Sequence, residues 1–215
     1  MEEHLITTRH TARYYTLGEL TKHPDQEVWL VLHGYGQLAQ YFIQKFRPLL
    51  RENSFVVAPE GSSLFYLQGT GGRVGATWMT REFRESAISN YVAYLQQIYQ
   101  ELILANKRLV LLGFSQGAST LIRWTVQQRI PFEKIILWAG EFPPDVDAEA
   151  CRKVLSGHPA FYVYGDQDEY IDSERIAEQQ ERFQQFYFEP EIIRFPGKHT
   201  INADVLRQLQ QKKPS

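Results

Sequence analysis

The chain has 215 residues, of which 43% are apolar and 13% aromatic, and a formal net charge of -2 at pH 7. A chain of this length predicts one domain, spanning 1–215, with a single hydrophobic core. The small net charge gives no electrostatic reason to bind nucleic acid or an anionic membrane, and no apolar run reaches the roughly 18 residues of a membrane span, which excludes an integral membrane protein.

In the first half of the chain, short apolar runs alternate with helical periodicity. The predicted elements are, in order, two short strands within 4–20, a buried strand over 27–32, a helix over 38–51, a buried strand over 54–58 and a helix over 85–105. Before the last helix lies an irregular stretch, 62–82, which contains four glycines and several aromatic residues. Because a loop of this length in a compact domain usually carries function, we expect a lid or the wall of a pocket here.

The second half continues the alternation. Its predicted elements are a buried strand over 109–112, a helix over 118–126, a strand over 134–138, a weaker helix over 147–155, a strand over 160–164, a helix over 173–187, a strand over 192–195 and a helix over 202–212. Asn202 is expected to cap the last helix. Alternating strands and helices predict an α/β fold with a mostly parallel central sheet and helices on both faces.

Five polar or small residues follow the ends of predicted strands, although they are scattered through the sequence: His33, Ser115, Gly140, Asp168 and His199. In parallel sheets of this kind, ligands bind beyond the carboxyl ends of the strands. The sequence therefore predicts that these residues converge at one edge of the sheet.

The junction between the strand over 109–112 and the next helix has the sequence GFSQG, with Ser115 at its centre. A GxSxG sequence between a strand and a helix is typical of the nucleophile elbow, in which small residues two before and two after the serine allow a strained turn that projects the hydroxyl. Ser115 is therefore the candidate nucleophile. The plain alternative is a serine in a glycine-rich turn.

A serine hydroxyl needs a base within hydrogen-bond reach, and that base needs an acidic group to orient it. Of the two histidines that follow Ser115, only His199 comes after all the acidic residues near strand ends, so His199 is the candidate general acid and base. Asp166 and Asp168 both follow the strand over 160–164. Asp166 stands directly after a glycine, where a carboxylate often shapes the turn, which weakly favours Asp168 and leaves both open.

Hydrolysis also needs hydrogen-bond donors for the developing oxyanion, and in an elbow fold these are two backbone amides. One belongs to Gln116, the residue after the nucleophile, at the positive end of a helix. The other belongs to a loop after an earlier strand, where Tyr35 is the candidate. His33, at the start of that loop, is expected to order the loop rather than to take part in the chemistry.

Taken in order, these motifs resemble the carboxylesterase, lysophospholipase and acyl-protein thioesterase family of α/β-hydrolases. The resemblance rests on LHGYG at 32–36, APEG at 58–61, the loop around Trp78, GFSQG at 113–117, YGDQDEYI at 164–171 and GKHT at 197–200. It implies an α/β-hydrolase fold without a metal or organic cofactor, a catalytic triad and two oxyanion amides. The implied triad is Ser115, Asp168 and His199, and the implied amides are those of Tyr35 and Gln116.

Three positions depart from the family's usual pattern. Gln37 stands where an aspartate usually follows the HGxG glycine, Met79 and Thr80 stand where Phe-Asp usually follows the tryptophan, and Glu141 places an acidic residue near the expected pocket. With these departures, the resemblance leaves the acyl-chain preference and any protein-thioesterase role open.

The expected function is that of a serine carboxylic-ester hydrolase, of the carboxylesterase or lysophospholipase type, which acts through an acyl-enzyme on small or medium acyl esters. The partner is then a small-molecule ester, and the sequence leaves the oligomeric state open, a homodimer included. An apolar pocket for the acyl group is expected, lined by Phe65, Tyr66, Leu67, Trp78, Met79 and Phe142.

The cysteine content and the N-terminal sequence bear on location. Cys151 is the only cysteine, so the chain cannot form an intramolecular disulfide. Residues 1–10 lack the basic start and apolar core of a signal peptide. A cytoplasmic location is therefore expected.

Three alternatives remain. An acyl-thioester hydrolase of the same family would use the same residues, and a binding protein could keep the fold without the reaction. The sequence GYGQLA at 34–39, with Glu60 after the next strand, also fits the pattern of a dinucleotide site. That reading leaves the elbow and His199 unexplained.

Overall fold

In the computed structural model of the chain, residues 1–51 and 53–212 are described. They form nine strands: β1 Tyr14–Leu17, β2 Glu27–Leu32, β3 Ser54–Pro59, β4 Ser63–Gln68, β5 Gly71–Thr77, β6 Arg108–Phe114, β7 Lys134–Trp138, β8 Ala160–Gly165 and β9 Glu191–Phe195. They also form six α-helices: α1 Ala39–Phe42, α2 Arg84–Glu101, α3 Gln116–Gln128, α4 Ala148–Leu155, α5 Ser173–Gln185 and α6 Ala203–Gln211. Two short 3-10 helices span Ile43–Leu49 and Leu104–Asn106.

Seven of the strands form one sheet, in the order β1-β3-β2-β6-β7-β8-β9. β1 is antiparallel to β3, and all the other neighbours in this sheet are parallel. Every residue of β7 is buried, as is every residue of β6 after the first. Continuous apolar runs of this kind suit the centre of a parallel sheet, where both faces are covered. The predicted α/β fold with a mostly parallel sheet is therefore confirmed.

Helices cover both faces of the sheet, and the side chains of β2 show how. Val28 and Leu30 belong to one buried cluster, which also contains apolar side chains of α2, α3, α4 and α5. Trp29 and Val31 belong to another, with apolar side chains of α1, α6 and the first 3-10 helix. The alternation follows from the two-residue period of a strand. Both faces are thus closed, and the strand ends are left for a site.

Three helices begin at polar residues that cap them. Asp147 accepts a hydrogen bond from the Ala150 amide at the start of α4, and Asp172 accepts one from the Arg175 amide at the start of α5. Asn202 accepts from two amides at the start of α6, which confirms its predicted capping role. Such side chains satisfy amides that have no partner within the helix.

Two predictions near the N-terminus are wrong. The segment 4–20 contributes one strand, β1, rather than two, because residues 1–13 have no regular secondary structure. The predicted helix over 38–51 is the four-residue α1 followed by the 3-10 helix Ile43–Leu49. Pro48 lies in that segment and lacks the amide hydrogen that a continuing α-helix needs.

The stretch 62–82, expected to be an irregular loop, is largely a β-hairpin. β4 and β5 pair antiparallel in a two-stranded sheet of their own. The sequence does not predict this pairing, because neither strand has the usual alternation of apolar and polar residues. Nearly all of β4 is exposed, and β5 begins with glycines. A bridge between Gln37 and Ala76 joins the hairpin to the loop that follows β2.

The loops that follow β2, β6, β7, β8 and β9 meet at the carboxyl edge of the main sheet, where the candidate residues lie. As a separate observation, none of the helices in the described residues is long and apolar enough to cross a membrane.

Candidate active site

Ser115 lies in the turn between β6 and α3, in a strained backbone conformation. Its φ of 53° and ψ of -120° are values that a residue with a side chain rarely adopts. The flanking glycines make room for the turn: a Cβ on Gly113 would lie 2.4 Å from the carbonyl oxygen of Gly117, and one on Gly117 would lie 2.4 Å from that of Leu32. The Ser115 amide donates to the carbonyl oxygen of Trp138 at 2.8 Å. This is the local geometry of a nucleophile elbow.

Asp168 and His199 form a hydrogen-bonded pair. Nδ1 of His199 lies 2.7 Å from Oδ2 of Asp168, whose side chain is fully buried. The other carboxylate oxygen, Oδ1, accepts from the Tyr170 amide at 2.9 Å. A carboxylate held in this way fixes the orientation of the ring and keeps the proton on Nδ1.

Asp166, the other acidic candidate, is exposed and does not contact His199. Its Oδ1 accepts from the Gly197 amide at 3.1 Å, and the Gln167 amide donates to the Gly197 carbonyl oxygen at 2.8 Å. These bonds join the loop after β8 to the loop after β9. They bring Asp168 to His199, so Asp166 shapes the turn, which is the role that the sequence suggested for it.

Ser115 and His199 line the same cavity. The His199 ring packs against Phe114, the residue before the serine, with ring centroids 4.8 Å apart, and against Tyr170 at the same distance. In the described part of the chain, no hydrogen bond joins the Ser115 hydroxyl to the His199 ring. Catalytic contacts are often long in the absence of substrate and shorten when it binds.

The backbone amides of Tyr35 and Gln116 flank the elbow. The loop after β2 approaches the serine closely, because a Cβ on Gly34 would lie 3.0 Å from Cβ of Ser115. Gln116 is the first residue of α3, where amides have no partner within the helix. Within the described residues, neither amide donates to a protein acceptor. Two uncommitted amides beside a serine are what an oxyanion requires.

Gln37, one of the departures from the family pattern, holds the loop that carries Tyr35. Its side-chain oxygen accepts from the Gly34 amide at 2.9 Å, and its backbone pairs with Ala76 of the hairpin. The side-chain amide therefore provides an acceptor where a carboxylate would provide a charged one. The loop keeps its hydrogen bond and loses a negative charge beside the site.

His33 lies buried beneath this loop. Its Nε2 accepts from the Gly61 amide at 2.9 Å, and its Nδ1 lies 2.8 Å from the Gly34 carbonyl oxygen, so the ring is neutral with its proton on Nδ1. The ring stacks on Trp78 with centroids 5.0 Å apart. Burial lowers the pKa of His33. These contacts agree with the expected role of ordering the loop.

We expect mild acid to destabilise the protein through His33. Because burial lowers the pKa of His33 in the folded state, the unfolded chain takes up the proton more readily. The stability contributed by neutral His33 is fully present above the unfolded-state pKa of about 6.5. It is lost as the pH falls from there toward the lower pKa of the folded state. In His33→Gln, which does not titrate, the free energy of unfolding in urea should fall less between about pH 7.5 and about pH 5.5 than in wild type. Equal falls in the two proteins would contradict this role.

The side chain of Gln116 makes contacts that the GxSxG motif does not predict. Its Oε1 accepts from the Thr77 hydroxyl at 3.0 Å and from the Trp78 amide at 3.1 Å, and its Nε2 donates to the Met79 carbonyl oxygen at 2.9 Å. Gln116 therefore fastens the end of β5 to the elbow. No signal in the sequence pairs these residues, since they lie 37 to 39 positions apart.

Two residues expected in the acyl pocket lie in the protein core instead. Trp78 is buried, and its indole N–H donates to the His33 carbonyl oxygen at 2.9 Å. Phe142 is also buried, in contact with the rings of Phe183, Phe186 and Phe188. The expectation is corrected for both, because aromatic residues near a strand end pack inward as readily as they line a pocket.

The other four residues expected in the pocket are divided. Met79 lines the cavity beside Ser115. Phe65, Tyr66 and Leu67 lie on β4 of the hairpin, outside the wall of this cavity, and the Phe65 ring contacts that of Tyr35 with centroids 5.0 Å apart. They stand beside the loop that carries Tyr35.

The cavity wall mixes apolar side chains, as expected, with charged ones that were not expected. Ser119 and Arg123 follow Ser115 at intervals of four residues, which places all three on one face of α3. Glu141 and Arg175 line the same cavity. Helical spacing from the nucleophile was the signal that identifies Ser119 and Arg123, whereas nothing in the sequence brings Arg175 to this wall.

The dinucleotide reading required a free carboxylate at Glu60. The structure shows that this side chain is buried and engaged: Oε2 accepts from the Ala39 amide at 2.9 Å, and Oε1 accepts from Nε of Arg13. It stabilises the start of α1 and is not available to a ribose. In the ranges that the structure describes, no three His, Cys, Asp or Glu side chains are grouped as metal ligands.

The comparisons with known proteins concern the chain as a whole. The family model described as phospholipase/carboxylesterase matches residues 19–212. No curated protein matches the chain in sequence. Many solved structures are similar to this chain, three of them described next, and at such low identities the likeness shows the fold alone.

The first of these is esterase PE8, with 21% identity and a TM-score of 0.65, covering 93% of this chain and 96% of that one. Acyl-protein thioesterase 2 of Zea mays has 14% identity and a TM-score of 0.68, covering 94% of this chain and 97% of its own. The carboxylesterase of Bacillus cereus has 12% identity and a TM-score of 0.66, covering 93% and 92%.

Proposed function

Because this chain belongs to the phospholipase/carboxylesterase family, and is a serine hydrolase of the esterase type, we propose that it hydrolyses small or medium acyl esters through an acyl-enzyme on Ser115. In this proposal the chain acts as one hydrolase domain. His199 is the general acid and base, Asp168 orients it, and the amides of Tyr35 and Gln116 bind the oxyanion.

The hydrogen bond between Asp168 and His199 carries the proposal. A buried carboxylate 2.7 Å from Nδ1 keeps the ring proton on that nitrogen and leaves Nε2 as the basic one. The ring also lies against Phe114 in the cavity that Ser115 lines. In the proposed mechanism, a hydrogen bond from the Ser115 hydroxyl to Nε2 completes the relay to the carboxylate.

In the first half of the reaction, Oγ of Ser115 attacks the ester carbonyl carbon while Nε2 of His199 takes the hydroxyl proton. The carbonyl electrons move onto the oxygen, where the two amides stabilise the negative charge. The bond to the leaving oxygen then breaks, and His199 gives its proton to that oxygen. A neutral alcohol leaves, and the acyl group stays on Ser115 as an ester.

In the second half, water takes the place of the alcohol. His199 removes one proton from the water as the water oxygen attacks the acyl carbon. The same two amides hold the second oxyanion. The bond to Oγ of Ser115 breaks, and Oγ takes the proton back from His199. The products are a carboxylic acid and the free enzyme.

The test is turnover of a neutral ester by the purified protein. We expect saturable release of p-nitrophenol from p-nitrophenyl butyrate, abolished by a fluorophosphonate, which reacts with activated serines. Comparison of butyrylcholine with butyrylthiocholine then measures the preference between esters and thioesters. A folded protein that turns over none of these and stays unlabelled would instead be a binding protein on a hydrolase fold.

A further inference from the structure

We infer that the cavity beside Ser115 binds a short substrate group that ends in a carboxylate, and that Arg123 and Arg175 select this group. The inference rests on the proposed ester hydrolysis at Ser115 and names the substrate class of that site.

The size of the cavity favours a short group. Its volume is about 310 Å³, at the small end of the range for pockets that bind small molecules. Arg123 lies eight residues after Ser115 on α3, a rise of about 12 Å. Long side chains on a helix lean toward its N-terminus, which here is the end that carries Ser115, and both residues line the cavity.

Arg123 places a buried positive charge in the wall of this cavity. The residue is 3% exposed, and its Nε and Nη2 donate to Asp145, the latter at 2.7 Å. Its Nη1 lies 3.5 Å from the Tyr91 hydroxyl oxygen. A guanidinium has five N–H donors, so these three contacts leave donors available to an anion.

Asp145 is not dedicated to Arg123. Its carboxylate also accepts a hydrogen bond from Nη2 of Arg84 at 2.7 Å. Burial by itself would raise the pKa of Asp145, but hydrogen bonds from Arg123 and Arg84 hold it below its ordinary value. One ionised carboxylate is therefore shared between two guanidinium groups.

A second arginine, Arg175, lines the same cavity beside Glu141. Glu141 lies 3.6 Å from Arg175 and 3.6 Å from Arg182, and its side chain is 56% exposed. Among the described residues that line the cavity, the permanently charged side chains are two arginines and one carboxylate: Arg123 and Arg175 against Glu141. A substrate carboxylate would balance the charge, and a neutral acyl chain would not.

Tyr162 provides an independent observation. It lines the cavity, is 2% exposed, and its hydroxyl makes no hydrogen bond to the part of the protein that the structure describes. Burial raises the pKa of Tyr162, so the hydroxyl keeps its proton and can donate. The hydroxyl oxygen itself is not fully buried, so a carboxylate oxygen in the cavity can reach it and accept this hydrogen bond.

Two pairs of esters test the inference. Mono-p-nitrophenyl adipate and p-nitrophenyl hexanoate have acyl chains of equal length and the same leaving group, and differ in a terminal carboxylate. Similarly, 4-acetoxybenzoate and 4-methylphenyl acetate place the difference on the alcohol side. The cavity would hold either the acyl side or the alcohol side of the ester, so only one of the two pairs needs to respond. In that pair, we expect kcat/KM to be higher for the carboxylated ester by about tenfold or more, which a charge-assisted hydrogen bond can supply. The preference should fall as salt is added.

Variants assign the preference to residues. Arg175→Gln removes a charge from an exposed residue of the cavity wall. We expect it to reduce the preference for the carboxylated ester by about fivefold. Arg123→Met and Tyr162→Phe should have a similar effect. Arg182→Gln is the matched control, because it loses the same charge and the same contact with Glu141 but does not line the cavity. It should keep the preference within about twofold of wild type.

The possible results separate the two proposals. Turnover of the neutral hexanoate without a preference for either carboxylated ester would overturn the inference and leave ester hydrolysis intact. Equal losses of preference in Arg175→Gln and Arg182→Gln would also overturn it, since the effect would then be a general one of charge. Absence of turnover with every ester would overturn the proposed function and the inference together.

Discussion

Replacing Ser115 by alanine should lower kcat on p-nitrophenyl butyrate by about four to six orders of magnitude, and replacing His199 by alanine should lower it by a similar factor. In the proposed mechanism, each substitution removes one part of a relay that works only as a unit. The double variant should therefore be no slower than the slower single variant. Steady-state kinetics, with thermal melting to confirm that each variant is folded, would measure both effects.

Loss of the hydroxyl of Ser115 leaves the backbone of the elbow unchanged, because alanine meets the same strain at φ 53°. A stable fold is therefore expected for this variant. Near-full activity in either single variant would show that the residue is not part of the reaction. Losses that multiply in the double variant would show that the two residues act independently.

The second large effect concerns the acid. Asp168→Asn should lower kcat by about 10⁴, because an asparagine in place of the carboxylate no longer keeps the His199 proton on Nδ1. Asp166→Asn is the matched control: the same change two residues away, at a side chain that bonds the Gly197 amide rather than the imidazole. Its kcat should stay within about threefold of wild type, since its amide oxygen can still accept that bond.

The pair of variants decides between the two carboxylates that the sequence left open. Equal losses at both positions would mean that the loop after β8, rather than the contact with His199, controls activity. A greater loss at Asp166 would reverse the assignment.

The parts of the structure that the sequence predicted are those with local causes. The strand, glycine, serine and helix of the elbow lie within a few residues of one another, and a buried parallel strand leaves a continuous apolar run such as Lys134–Trp138. The order of strands and helices then placed Ser115, Asp168 and His199 at one edge. No long-range contact had to be known for this.

The parts that were missed depend on contacts between distant residues. Trp78 stacks on His33 and Phe142 packs among aromatic residues of the segment 183–188, and neither choice of partner is visible in the local sequence. The wall of the cavity brings Arg123 and Arg175 together from different helices. The charged part of this wall is therefore visible only in three dimensions.

Labelling with a fluorophosphonate, followed by mass spectrometry of the digested protein, tests the assigned nucleophile without any assumption about the substrate. The triad predicts one adduct per chain, on the peptide that contains Ser115, formed far more slowly in His199→Ala. An adduct on a different serine, or a folded chain that stays unlabelled while a control serine hydrolase reacts, would contradict it.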